Sequence, residues 1–341
     1  MRRDRSPHRP QHLFTAATTS VIGSDDFRMQ ILDARAASLL KELAEDSQIG
    51  HRAPHSANSI RYLSPRFLCF FNKVRQMIRT EHASSIATIT IARPARRNAL
   101  TPEAMVQLRD ALVAADDDET ISVIIITGEG SEAFCAGADI GATLPSERSF
   151  ISAYFDRRSD ATHPLYIRNI AFGRMALRKP TIAAVNGVAV GGGMEIALNC
   201  DMCLAATNAR FGLTEVRIGS IPAVSGIQRL LRSLPRPVAM RLLLSGEIVD
   251  ASFALQWGLV SEVVPADALL TRANELASMI AANAPLAVRT AKMLADKAEQ
   301  LSLTEATEVE ELMWGHLYGT RDRIEGRKAF SEKRAPRFRG E

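Results

Sequence analysis

The sequence feature that most constrains the fold is a short apolar run that leads into a cluster of glycines. Thr181–Val185 is β-branched or small throughout, and Asn-Gly follows at 186–187, as in a buried strand that ends in a turn. Three glycines at 191–193 then precede a helical pattern. Such a helix start leaves its first N–H groups bare and accessible to an anion or oxyanion. Close packing of helix against strand would also require glycine, so two explanations remain open.

Strand-like and helix-like patterns alternate through the middle of the chain. Residues 86–92 alternate Ile with Thr and Ala, and residues 122–127 form a short β-branched run. Between them, residues 102–115 have helical spacing, with Thr101 as candidate N-cap. This alternation predicts a layered α/β core over residues 81–265.

Strand patterns stop near residue 265, and only helical patterns follow. They lie at 266–283, 285–299, 304–317 and 322–333. We therefore expect residues 266–341 to form a helical segment that follows the α/β core.

Residues 1–80 differ in composition from the rest of the chain. They mix Arg, Pro, His, Ser and Thr with little periodicity, which predicts a largely disordered extension with one candidate helix at 29–46. They hold 13 Lys and Arg against 7 Asp and Glu, whereas the remainder holds 29 basic against 31 acidic residues. The core therefore has no general attraction for nucleic acid, and we expect no such partner. A natural start at Met77 is the alternative explanation of this segment.

Cysteine, histidine and hydropathy patterns narrow the class of protein. Four cysteines in 341 residues do not make a disulfide framework, which favours the cytoplasm, or the mitochondrial matrix in a eukaryote. Cys200 and Cys203 lack a second ligand pair at zinc-site spacing, and the histidines do not cluster, so no metal is expected. We find no uninterrupted apolar run of about 18 residues, so no membrane partner is expected.

Two glutamates lie in mostly apolar sequence beside candidate ligand loops. Glu195 falls in the first helical turn after the glycines, and Glu215 follows twenty residues later. Burial would raise the pKa of either carboxyl and suit it to proton transfer. Alternatively, Glu195 complements the helix dipole, and Glu215 forms an ion pair with Arg217 or Arg229. A second loop of small residues at 134–140 would let a ligand approach its backbone N–H groups, although an ordinary tight turn has the same composition.

Taken together, these motifs resemble the crotonase, or enoyl-CoA hydratase/isomerase, superfamily. The resemblance covers residues 84–341, and the motifs keep the order and spacing of the family. The motifs are Arg-Pro at 93–94 with Asn-Ala-Leu at 98–100, Ala-Phe-Cys-Ala-Gly-Ala-Asp-Ile at 133–140, Lys-Pro-Thr-Ile-Ala-Ala-Val-Asn-Gly at 179–187, the glycines 191–193 with Glu195, and residues 326–334. The resemblance implies a core of stacked β-β-α units with two sheets. It also implies C-terminal helices that build a homotrimer or a hexamer of two trimers, and a coenzyme A thioester as substrate.

The same resemblance implies a set of site residues. The N–H groups of Ala138 and Gly192 would hold the thioester oxygen in an oxyanion hole. Glu195 would take a proton from the attacking water, and Glu215 would supply a proton to C2, with no further cofactor. The residues expected to contact substrate or coenzyme A are Ala136, Ala138, Asp139, Ile140, Gly141, Gly192, Phe330 and Lys333.

Both family glutamates are present, which resembles a hydratase of 2-enoyl-CoA more than the isomerases of the family. The chain also departs from the family pattern. Gly141 stands where a Lys is frequent, Thr214 replaces a common Pro, and residues 223–226 replace a more glycine-rich loop. The acyl group is therefore open, and an enoyl-CoA isomerase, a carnitinyl-CoA-dehydratase-like enzyme or a methylglutaconyl-CoA-hydratase-like enzyme is the alternative.

Overall fold

The computed structural model of the chain describes residues 76–143, 149–156, 160–298 and 300–341. The predicted extension and its candidate helix at 29–46 lie outside the described residues, except for residues 76–80. Strand β1, Ile78–Ala83, crosses the predicted boundary at 80, and the buried side chain of Ile78 belongs to the core. We therefore correct the start of the core to residue 78. The pattern was missed because the rest of the strand is polar and mostly exposed.

A six-stranded sheet forms the first layer of the core. Its order is β1, β2 (Ile86–Ile91), β3 (Val123–Gly128), β5 (Thr181–Val185), β7 (Met202–Ala206) and β10 (Glu262–Val264). β1 and β2 pair antiparallel, and every other neighbouring pair is parallel. Parallel strands are normally covered on both faces, and β3 is accordingly buried along its whole length.

The two faces of this sheet pack against different helices. Alternate residues point to opposite faces, so Ile124 and Ile126 join the large apolar cluster that contains Leu108 of α1 (Pro102–Asp117). Ile125 instead joins a second cluster with Leu269 of α8 (Leu269–Ala281). α1 begins as predicted, because the Thr101 hydroxyl accepts a hydrogen bond from Ala104 N at 3.2 Å.

A second, four-stranded sheet follows the order β4 (Ala133–Cys135), β6 (Val188–Val190), β8 (Arg210–Gly212) and β9 (Val249–Asp250). β4, β6 and β8 are parallel, and β9 runs antiparallel to β8. Two sheets with helices confirm the expected α/β fold class.

The remaining helices in the described part of the chain connect the strands or follow them. The connecting helices are α2 (Phe150–Tyr154), α3 (Phe172–Met175), α4 (Gly192–Asn199), α5 (Gly226–Ser233), α6 (Arg236–Ser245) and α7 (Ala251–Gln256). After α8 come α9 (Pro285–Ala298), α10 (Leu303–Tyr318) and α11 (Arg321–Ser331), which confirms the four C-terminal helices. None of the helices within the described ranges has the length and apolar character needed to span a bilayer.

Candidate active site

The site lies where three parallel strands of the second sheet end. β4 leads into the loop that contains Ala138, β6 leads into the glycines that open α4, and β8 leads into the 3₁₀ turn Glu215–Ile218. Because the carboxyl ends of parallel strands lie at one edge, residues from positions 138, 192 and 215 come together there. This is the usual place for a ligand in sheets of this kind.

The two loops expected to form the oxyanion hole lie against each other. A Cβ built on Gly192 would be 3.7 Å from Gly137 Cα and 3.9 Å from Ala138 N. Neither Ala138 N nor Gly192 N donates a hydrogen bond to another described residue. Two free N–H groups from neighbouring loops are the donors that a developing oxyanion requires.

The packing explanation of the glycine cluster is confirmed for Gly193, and its neighbour Gly191 shapes the bare backbone that the other explanation requires. Gly193 is required by packing, since a Cβ there would lie 2.0 Å from Cys135 O. Gly191 has φ +54°, in the left-handed region, and turns the chain from β6 into α4. Gly137, with φ +85°, makes the corresponding turn in the other loop. These conformations leave the N–H groups of Ala138 and Gly192 bare.

Glu195 is buried in the first turn of α4, with 3% of its surface exposed. Its Oε1 accepts hydrogen bonds from Val224 N at 2.6 Å and Gly226 N at 3.0 Å. Burial, together with the nearby charge of Glu215, raises the pKa of the Glu195 carboxyl to about 7, although the two N–H bonds oppose the shift. A raised pKa of this size fits the expectation of a proton-transfer group, while the position of Glu195 in the first turn of α4 also fits the dipole explanation.

Glu215 lies beside Gly191, at the turn between β6 and α4. Its Oε1 would be 3.5 Å from a Cβ on Gly191, and its Oε2 is buried without a hydrogen-bond partner among the described residues. Burial raises the pKa of the Glu215 carboxyl. No ion pair joins Glu215 to Arg217 or Arg229 within the described ranges, so the ion-pair explanation is wrong for this carboxylate.

The loop at 136–139 is held by residues whose role the sequence did not reveal. Asn98, with φ +56°, is buried and donates from Nδ2 to Ala133 O at 2.7 Å, at the start of β4. Arg93 donates to Ala99 O and pairs with Asp139 at 3.0 Å. Backbone bonds from Leu100 N to Gly137 O and from Asp139 N to Leu100 O complete the attachment. The Arg-Pro and Asn-Ala-Leu motifs therefore support the loop that carries Ala138.

The other residues expected to contact the ligand have different surroundings. The carboxylate of Asp139 pairs with Arg93, its N–H donates to Leu100 O, and its carbonyl accepts from Ala142 N, so Asp139 supports the loop and offers no free polar group to a ligand. Ala136 donates its N–H to Arg97 O, Ile140 is 66% exposed, and Gly141 is exposed beside it. The structure does not bring Phe330 or Lys333 into this constellation. Phe330 lies near the end of α11 and is 87% exposed, and Lys333 is exposed just beyond that helix.

The C-x-x-C pair lies at the end of α4 and in β7. Cys203 is buried and Cys200 is half-buried, and burial raises the pKa of both thiols, that of Cys203 to about 12. Thiols in such surroundings are inert packing groups.

Comparison with known proteins agrees with this geometry. A family model described as enoyl-CoA hydratase/isomerase matches residues 81–341. An (E)-benzylidenesuccinyl-CoA hydratase from Thauera aromatica is 41% identical over 261 residues, 76% of this chain and 98% of the relative. A 2,3-dehydroadipyl-CoA hydratase from Escherichia coli is 41% identical over 255 residues, 75% of this chain and 95% of the relative. An enoyl-CoA hydratase structure from Bacillus anthracis has TM-score 0.71 at 34% identity, and covers 78% of this chain and 100% of its own.

The chain belongs to the enoyl-CoA hydratase/isomerase family. Enoyl-CoA hydration, a hydro-lyase reaction on a coenzyme A thioester, is the function that the family and the relatives establish for it. The resemblance noted from the sequence is thereby confirmed.

Proposed function

We propose that hydration proceeds in this site by the combined action of two backbone N–H groups and two glutamates. The thioester oxygen accepts hydrogen bonds from Ala138 N and Gly192 N, which stabilise the enolate-like state. Water adds to C3 and gives its proton to Glu195, while Glu215 gives a proton to C2. The net change is the addition of H and OH across C2=C3. Exchange with solvent then removes the proton from Glu195 and returns one to Glu215, which restores both groups.

The surroundings of the two carboxyls support this division of roles. Two N–H donors on Oε1 of Glu195 stabilise its charged form, as a base requires. Oε2 of Glu215 is buried without a hydrogen-bond partner among the described residues, which favours a protonated group that waits to donate. Burial raises the pKa of both carboxyls, which suits one to act as a base and the other as an acid near neutral pH.

The Glu195→Gln and Glu215→Gln variants test these roles. General acid–base catalysis contributes about 10²–10⁴ in rate, so each variant should lose most of the kcat for hydration of crotonyl-CoA. The effects of groups that act as a unit are not additive. The kcat of the double variant should therefore be little lower than that of the less active single variant. A Glu195→Gln enzyme with near-normal kcat would mean that the water-activating base is misassigned.

Enoyl-CoA isomerisation is the alternative that the same glutamates allow. Incubation with a trans-2-enoyl-CoA separates the two, since only hydration yields a 3-hydroxyacyl-CoA. An active Glu215→Gln variant would favour the isomerase, because hydration needs both a base and an acid.

We also propose a homotrimer, or a hexamer of two trimers. Large apolar side chains on the last two helices support it: Leu312, Trp314, Tyr318, Ile324 and Phe330 are all more than half exposed. Light scattering should give three or six times the chain mass of 37.2 kDa. In such an assembly Phe330 and Lys333 would contact the nucleotide of a coenzyme A bound to a neighbouring subunit.

The remaining proposals follow from the family. We expect a cytoplasmic or mitochondrial enzyme that needs no cofactor beyond the coenzyme A of its substrate, with a place in the β-oxidation of fatty acids or of related acyl groups. Two of the relatives are named for acyl groups that carry a carboxylate, so benzylidenesuccinyl-CoA and dehydroadipyl-CoA belong in the substrate panel with crotonyl-CoA.

A further inference from the structure

A buried amide at the far end of α4 connects Glu195 to the loop that holds its carboxylate. Asn199 is 5% exposed, and its Nδ2 donates to Glu195 O at 2.7 Å and to Val224 O at 2.9 Å. The first of these bonds stays within the helix, whereas the second crosses to the loop before α5. Asn199 is therefore a direct link between the catalytic helix and residues 224–226.

The backbone of residues 224–226 binds the Glu195 carboxylate. The N–H groups of Val224 and Gly226 are the two donors to Oε1 of Glu195. Ser225, between them, has φ +69°, a left-handed conformation that a residue with a side chain seldom adopts. A strained segment persists only when its surroundings hold it, and the bond from Asn199 to Val224 O is a restraint within the strained turn itself.

A cation on α5 fixes the orientation of the amide. Arg229 Nε donates to Asn199 Oδ1 at 3.1 Å, so Oδ1 must face the guanidinium and Nδ2 must face the two carbonyls. All three partners agree on one orientation of the amide. The connection thus runs from Arg229 through Asn199 to Val224, and from Val224 N to the Glu195 carboxylate.

From these contacts we infer that Asn199 is a positioning residue for hydration, which holds residues 224–226 so that their N–H groups keep the Glu195 carboxylate in place, and that Arg229 orients it. The inference rests on the proposed role of Glu195. It concerns the base alone, because the thioester oxygen is held by other loops. Loss of Asn199 should therefore lower kcat and leave the KM for the acyl-CoA nearly unchanged.

The isosteric variant Asn199→Asp tests the donor function without opening a cavity. It keeps an oxygen for Arg229 but turns both donors into acceptors that face two carbonyls. We expect kcat for crotonyl-CoA to fall by about tenfold to a hundredfold, the range that a small misplacement of a reacting group produces. Asn199→Leu, which fills the space without donors, should behave similarly. A merely space-filling Asn199 would instead leave both variants at the wild-type kcat.

The pH profile of kcat/KM gives a readout that a loss of stability would not move. If the loop is displaced, the Glu195 carboxylate loses hydrogen bonds from N–H groups, and its pKa rises because its charged form is less stabilised. The acidic limb should therefore move to higher pH, by about one unit for each bond lost. The charged and titratable groups around the Glu195 carboxylate are Glu215 and Arg229, and both are unchanged in Asn199→Leu. The matched control is Leu269→Ala, which destabilises the apolar cluster on the other face of the main sheet and should leave kcat and the limb unmoved.

Arg229→Met keeps the proposal testable if the Asn199 variants do not fold, since Arg229 is only half-buried. It should lower kcat by a smaller factor. Where Asn199→Leu does fold, Arg229→Met should add little to its effect, because both act through one amide. The inference is wrong if Asn199→Asp keeps the wild-type kcat and the wild-type position of the acidic limb. If the Asn199 variants do not fold, the same result in Arg229→Met overturns it. Glu195→Gln, measured in the same assay, separates this inference from the proposed function. An active Glu195→Gln refutes the role of Glu195 as the base. An inactive Glu195→Gln together with normal Asn199 variants refutes only the positioning role of Asn199.

Discussion

Glu195 should make the stability of the folded chain depend on pH in the opposite sense to an ion-paired carboxylate. Burial raises its pKa from 4.5 to about 7, so between these values the folded chain holds a proton that the unfolded chain releases. Stability is then fully present at pH 4.5 and is lost as pH rises to 7. A shift of this size corresponds to about 3 kcal/mol, at 1.36 kcal/mol per unit.

Replacement by Gln removes this dependence, because the amide keeps the size of the side chain and an oxygen for the two N–H donors, and never ionises. The free energy of unfolding of Glu195→Gln, relative to wild type, should rise by about 3 kcal/mol between pH 5 and pH 8. Denaturant titrations at fixed protein concentration measure this difference. Glu310→Gln, on an exposed position of α10, is the matched control. A difference that stays constant with pH would refute the argument that Glu195 is buried and carries a proton in the folded state.

Three further predictions concern packing, coenzyme A and the N-terminal segment. Gly193→Ala should lower the free energy of unfolding by about 3 kcal/mol or more, because its Cβ would lie 2.0 Å from a backbone oxygen; a melting temperature close to wild type would contradict this. Lys333→Ala should raise the KM for the acyl-CoA substrate far more than Lys328→Ala does, since a charge-assisted phosphate contact is worth about 1.5–3 kcal/mol; equal effects would favour a solvated basic tail. A chain that lacks residues 1–76 should keep its hydration rate and its mass by light scattering, scaled to the shorter chain, and a loss above tenfold in the folded, shortened protein would show that the segment matters.

The sequence predicts the elements of the main sheet better than those of the second. β2, β3 and β5 are long enough to have a recognisable pattern, and they read as strands without any knowledge of their partners. β4, β6 and β8 have three residues each, too few for a period to emerge, and they become strands only by pairing across the chain. The second sheet was therefore expected only from the family resemblance.

The residues of the candidate site also differ in how well the sequence predicts them. The glycines and the glutamates could be singled out because their residue types are unusual in an apolar context. Asn98 and Asn199 could not be recognised as supports, because a lone Asn in a helix or turn reads as an exposed polar residue, and its partners lie 25 to 35 positions away. No local pattern contains a hydrogen bond of that reach.

The main-chain donors that we propose for the thioester oxygen would affect which substitutions the site tolerates. Every amino acid except proline has the N–H that position 138 supplies, so this position can change identity while its donor stays. The two carboxyls have no such freedom, because only a side chain provides them. If the proposed mechanism holds, substitution at position 138 can reshape the walls around the acyl group without loss of the N–H donor, whereas one substitution at either glutamate removes a group that the reaction needs.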